Sequence, residues 1–216
     1  MRDEVLFISG YRDLPVPHRL TRPADNARHL AILLPGMGYR NTMPALYYAR
    51  ALMLARGADV LAVDYAYDLM PDFLAASHEE KLAWIRTDVT AALDAVEAVG
   101  DYEQITLIGK SAGTAAMGMI VPERPRLAHA DLVWLTPAYL MAGVAEGIAR
   151  CQNRAILVIG NQAPHFNGAH VQAAWDRGTE VIIVPDLDHG LEKPNDVVGS
   201  LEAMTSIMRG LAAWVR

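Results

Sequence analysis

The sequence predicts an α/β protein, a doubly wound, mostly parallel eight-stranded sheet with helices on both faces. Three observations carry this. Six short apolar runs recur along the 216 residues, and they lack the polar alternation of half-exposed strands, as expected of strands buried on both faces. Segments with helical periodicity separate them, and strands that alternate with helices close into a parallel sheet by right-handed crossovers. Ahead of the first run lie two β-like segments that add edge strands.

Those edge strands are expected at EVLFISGYRD, residues 4–13, and LPVPHRLTR, residues 14–22, where Pro15 and Pro17 are tolerable only at an edge or a turn. The six buried runs follow as HLAILLPG from His29, ADVLAVDY from Ala58, QITLIG from Gln104, DLVWLTP from Asp131, RAILVIG from Arg154 and TEVIIVP from Thr179. The clearest helix follows Ser77, whose hydroxyl can cap it with Glu80 three residues on. Its apolar stripe runs Leu82, Ile85, Val89, Leu93, Val96 and Val99, and Gly100 ends it. The last helix carries Leu201, Met204, Met208, Leu211 and Val215 at steps of three and four, a stripe that packs on the sheet.

At 52% hydrophobic the chain can bury one sizeable core, so residues 1–216 are expected to form a single domain. A net charge of -6 with no basic run offers no footprint for nucleic acid or an anionic membrane, which leaves a small-molecule substrate as the expected partner. Oligomeric state is not readable. One cysteine, Cys151, excludes an internal disulfide and supplies no metal cluster. No apolar run has signal-peptide or transmembrane length, so the expected location is the cytoplasm.

Three motifs carry chemistry: LLPGMGY (33–39), GKSAG (109–113) and DLDHGLE (186–192). Gly109 lies where a buried strand passes into a helix, so Ser111 stands between the two glycines of that turn. Nucleotide-binding alternatives fail, because GMG lacks the third spaced glycine of a dinucleotide fingerprint and GKS lacks the glycine that opens a P-loop.

With these motifs in this order, nearly the whole chain resembles the α/β-hydrolase superfamily. The small lidless serine hydrolases similar to dienelactone hydrolase are the nearest group, although Ser111 stands where the dienelactone enzymes have cysteine. The resemblance implies Ser111 as nucleophile and His189 as base, with oxyanion donors at the backbone N–H of Ala112 and Met37. It implies hydrolysis of carboxylic esters or thioesters with no cofactor and no metal. The interval from Pro137 to Arg154 has room for one short helix, hence no cap domain. Tyr39, Tyr65, Tyr139, His165 and Phe166, with Met37 and Met141, are candidate pocket walls.

One member of the expected triad has no carboxylate. The family commonly reads Gly-x-x-Asp-Pro after the seventh strand, and this chain reads Gly160-Asn161-Gln162-Ala163-Pro164. The alternative position after the sixth strand reads Thr136-Pro137-Ala138-Tyr139, also without an acid. Asn161 or Gln162 could offer a carbonyl instead, and Asp186, Asp188 and Glu192 flank His189 in sequence. A second reading therefore stands beside the esterase: a weakened member of the fold that binds a small ligand or partner without turnover.

Overall fold

A computed structural model describes all of Met1–Arg216. Its eight strands are β1 (Arg2–Glu4), β2 (His18–Arg22), β3 (His29–Leu34), β4 (Asp59–Val63), β5 (Gln104–Lys110), β6 (Asp131–Leu135), β7 (Ala155–Gly160) and β8 (Glu180–Val184). They form one sheet in the order β1-β2-β4-β3-β5-β6-β7-β8, antiparallel in its first two pairings and parallel from there on. The six apolar runs are thus six strands. Strand order reverses at β3, which lies between β4 and β5, and such a switch point opens a crevice at the carboxyl ends of the strands.

Two cores cover the faces. Period-2 alternation sends Leu30, Ile32 and Leu34 of β3 to one side, and Ala31 and Leu33 to the other. The first side packs α3 (His78–Glu97), α4 (Ala112–Ile120), α5 (Val144–Arg150) and α6 (Gly168–Asp176), and the second packs α1 (Pro44–Ala55) and α7 (Val197–Trp214). A short α2 (Pro71–Ala75) precedes α3. Ser77 caps α3 as expected, its Oγ accepting from Glu80 N at 3.1 Å. That helix ends at Glu97, three residues before Gly100, and Val99 is exposed. Between β6 and β7 only the seven-residue α5 intervenes, so there is no cap domain.

The structure corrects four expectations. The predicted first edge strand shrinks to Arg2–Glu4, and Val5 and Phe7 are 85% and 95% exposed. The cause lies in α3: buried Asp88 accepts the Tyr11 backbone N–H at 2.8 Å, and Gly10 N donates to Leu14 O, which folds residues 10–14 into a turn. The second edge strand begins only at His18, after the last of its prolines. At the far end, β8 is an edge strand rather than a fully buried one, with Ile183 45% exposed. Finally, α7 is rotated slightly from its expected stripe: Met204, Ile207, Leu211 and Trp214 face the core, whereas Leu201 is exposed.

Candidate active site

Three glycines define the place of Ser111. A Cβ on Gly109 would meet the Met117 sulfur and the Gly113 backbone, and one on Gly113 would collide with the Leu34 carbonyl. Their absence lets α4 sit directly on the ends of β3 and β5. A Cβ on Gly36 would lie 3.0 Å from Ser111 Cβ, so the Gly36–Tyr39 turn also closes onto the serine. Ser111 itself has φ 51°, a backbone region costly for a non-glycine residue and typical of a strained strand-to-helix elbow.

The elbow is fully bonded. Ser111 N donates to Leu135 O at 3.0 Å, and Thr114 donates to Ser111 O through its backbone N at 2.8 Å and its hydroxyl at 2.5 Å. The same Thr114 hydroxyl accepts from Ala138 N at 3.2 Å.

His189, on the loop after β8, reaches this elbow from across the crevice. Its Nε2 lies 2.8 Å from Ser111 Oγ, within the reach required for proton transfer. The other ring nitrogen is different: Nδ1 is buried and has no hydrogen-bond partner. None of the candidate acids serves it. Asp188 Oδ1 accepts from Gly190 N at 2.7 Å and Glu192 N at 3.1 Å, closing its own turn. Asn161 spends its carbonyl on Asp186 N at 2.8 Å, Gln162 is exposed, and Ala163 is buried among apolar side chains.

What surrounds the histidine is a second ring and a cation. The His165 ring lies 4.6 Å from that of His189, centroid to centroid, and its Nδ1 accepts from Leu140 N at 3.2 Å. Lys110, the first variable residue of GKSAG, has no exposed surface. Its Nζ donates to the His189 carbonyl at 2.6 Å and lies 4.5 Å from the centre of the Tyr39 ring. Thr136, at φ 43°, directs its hydroxyl to the same carbonyl at 3.4 Å. Burial pulls the Lys110 ammonium down to about 7, against the attraction of Asp188. Burial, then the Lys110 charge, then His165 push the His189 imidazole down to about 4, with Asp188 acting in the opposite direction.

The remaining expected residues divide. Met37 occupies the tip of the Gly36–Tyr39 turn with its side chain 41% exposed, and Ala112 opens α4 directly after the serine. Phe166 and Met141 are partly buried beside the first core. Tyr39 and Tyr65 are not free walls. Tyr39 is buried beneath the Lys110 ammonium with its hydroxyl accepting from Ala45 N at 3.0 Å. Tyr65 donates to Pro35 O at 2.8 Å and stacks on Tyr67 within the core. Tyr139 stacks on His170 and lines a cavity of about 230 Å³ between α5 and α6 that contains neither Ser111 nor His189. The carboxylates after β4 are structural: Asp64 accepts from Asn41 at 2.7 Å, and Asp68 holds Arg40 by two contacts at 2.7 and 2.9 Å.

Sequence reasoning passed over Lys110, Thr114 and Thr136. For Lys110 a signal existed, since alternation from Ile108 along a strand buried on both faces places residue 110 on the side of the second core.

No protein-family model matches the chain, and no curated protein matches it in sequence. Its fold, however, is that of α/β hydrolases of known structure. Est1E from Butyrivibrio proteoclasticus, solved with ferulic acid bound, superposes with a TM-score of 0.69 at 14% identity, over 97% of this chain and 100% of that one. A dienelactone hydrolase from Anabaena variabilis gives 0.70 at 16% identity, over 98% and 95%. A cold-adapted esterase from an Arctic intertidal metagenomic library gives 0.71 at 17% identity, over 100% and 98%.

Proposed function

We propose that this protein is a serine hydrolase of carboxylic esters or thioesters, working through an acyl-enzyme on Ser111 with His189 as base and with no triad acid. The observation that carries the reading is the 2.8 Å contact between Ser111 Oγ and His189 Nε2 on a strained elbow. Fold likeness to esterases is consistent with it but hosts other chemistries too.

The steps follow from the atoms present. As Ser111 Oγ attacks the acyl carbon, its proton passes to His189 Nε2, and the carbonyl oxygen becomes an oxyanion. Two backbone N–H groups support that charge, Ala112 at the positive end of α4 and Met37 in the turn that Gly36 seats against the serine. Collapse breaks the bond to the leaving alcohol or thiol, which takes the proton from Nε2. Water then attacks the acyl-enzyme by the same route and releases the acid. To receive the serine proton, Nε2 must be the bare nitrogen, so Nδ1 carries the ring N–H, and that is the group with no partner. A base pushed down to about 4 is neutral at pH 7, the state that accepts a proton, but weak. Turnover is therefore slow.

The test is covalent labelling with a fluorophosphonate, followed by hydrolysis of a short-chain activated ester in the presence of a chelator. Stoichiometric label on Ser111, metal-independent turnover, loss of both in Ser111→Ala and a drop of about 10³-fold or more in His189→Ala are expected. A wild-type protein that binds esters but takes no label establishes the second reading, a non-catalytic binder, which the unpartnered Nδ1 and the buried Ala163 favour.

A further inference from the structure

The Lys110 ammonium is an expensive feature that the fold does not need. Its side chain leaves β5 on the same face as Ile108, into the core shared by Leu33, Val133 and Leu135, where a methionine or leucine would fill the space with no charge to desolvate. No carboxylate forms an ion pair with it. A buried charge without an ionic partner lowers stability, and replacing it by an apolar side chain of similar volume is often stabilising. Such a group next to a reactive constellation points to function rather than to folding.

Its two contacts show which function. The hydrogen bond goes to the backbone carbonyl of His189, and the cation–π contact goes to Tyr39, the last residue of the turn that carries Met37 N–H. Those two loops come from opposite ends of the chain, and this ammonium bridges them from below. His189 has no side-chain partner at Nδ1 to fix its ring. What remains is the Nε2 contact with Ser111 Oγ, its carbonyl, held by Lys110 and, more loosely, by the Thr136 hydroxyl, and the face of its ring against His165.

We propose that Lys110 is the positioning residue of this site, clamping His189 through its backbone and tying the histidine loop to the Gly36–Tyr39 turn. The inference rests on Ser111 and His189 as nucleophile and base. After burial, the clamp also contributes to the weakness of that base, because it is a cation. The titratable groups that face it are His189, His165, Tyr39 and Asp188, and only Asp188 is a carboxylate. Holding the histidine in place and suppressing its protonation are then two effects of one ammonium.

The test compares wild type with Lys110→Met, which removes donor and charge, and Lys110→Gln, which keeps an N–H donor without the charge. For ester hydrolysis we expect kcat of the Met variant to fall at least tenfold with KM within twofold, and the Gln variant to fall less. Thermal stability of the Met variant should be equal to or above wild type, an outcome a merely structural lysine would not give. Independently of turnover, NMR titration in a Ser111→Ala background should move the His189 ring midpoint upward by at least one pH unit in Lys110→Met, and amide exchange across residues 187–191 should quicken. An unchanged kcat, or a His189 midpoint and loop exchange that do not move, overturns the proposal. If wild type shows no turnover, the hydrolase reading falls, and the NMR arm in the Ser111→Ala background still decides for or against the clamp. Should Lys110→Met fail to fold, the lysine is needed by the fold and the argument is likewise overturned, with Lys110→Gln as the check on volume.

Discussion

The two sides of the crevice are built on different principles. On the serine side the backbone is interlocked with the fold: Gly109, Gly113 and Gly36 admit other main chain into direct contact, and both Ser111 N and Ser111 O are bonded. On the histidine side the loop after β8 is anchored by buried Leu187 and Leu191 and by Gly160, which admits the Leu187 main chain, but the His189 ring itself is held only by its contacts with Ser111 and His165, with Nδ1 left unbonded. The backbone of Ser111 is thus placed by contacts that also make the protein fold, whereas the ring of His189, the base of the proposed mechanism, is oriented by contacts the fold would survive losing. Damage should accordingly fall on stability and activity together in one case, and on rate alone in the other.

The sharpest way to break this contrast is at Gly113. Gly113→Ala puts a methyl group against the Leu34 carbonyl in a backbone that has no room to shift, so a loss of about 3 kcal/mol or more is expected, measured by urea denaturation, together with loss of fluorophosphonate labelling. A variant of wild-type stability would mean the elbow is not locked into the sheet.

A smaller effect, in the other direction, is expected at Ala163. Restoring an acid in the Gly-x-x-Asp-Pro position should raise kcat several-fold with little change in KM, because a partner for Nδ1 stabilises the imidazolium formed in the transition state. The site is buried among apolar groups, so Ala163→Asp should also lower the melting temperature. Steady-state kinetics and a thermal melt on the same sample check both. An unchanged kcat would show that the loop keeps residue 163 away from Nδ1.

The smallest expected effect is on stability against pH. The folded-state pKa of His189 is pushed down to about 4 from 6.5, so between those values the unfolded chain binds more protons than the folded one. Its contribution is fully present above pH 6.5 and is lost as pH falls through 4. Over this window the melting temperature of wild type should fall a few degrees further than that of His189→Ala. Parallel curves would mean that the imidazole is not suppressed.

The same contrast explains what could be read from the sequence. The strands from β3 to β7 were legible because burial on both faces leaves unbroken apolar runs, and the elbow was legible because its glycines answer to backbone contacts that few other residues permit. Val5 and Phe7 misled, since apolar character alone does not show whether a strand partner exists, and Asp88, 77 residues beyond Tyr11, decided the course of that segment. The tyrosines misled for a related reason. Position after a strand says that a side chain is near the crevice, and does not say whether it faces solvent or, as Tyr39 and Tyr65 do, the core. Thr136 and Lys110 act on the His189 carbonyl, an atom every residue possesses, so no residue type at position 189 could advertise the contact.

The brevity of the β6–β7 connection has a kinetic meaning. In hydrolases with a mobile lid, opening and closing on the microsecond to millisecond scale often sets the overall rate. Here α5 is seven residues long and packs against the first core, with no inserted domain over the crevice. On the proposed mechanism, a cycle with no lid to open and close leaves bond making and breaking as the expected slow step. Its rate should respond to the leaving group of the ester and stay indifferent to solvent viscosity.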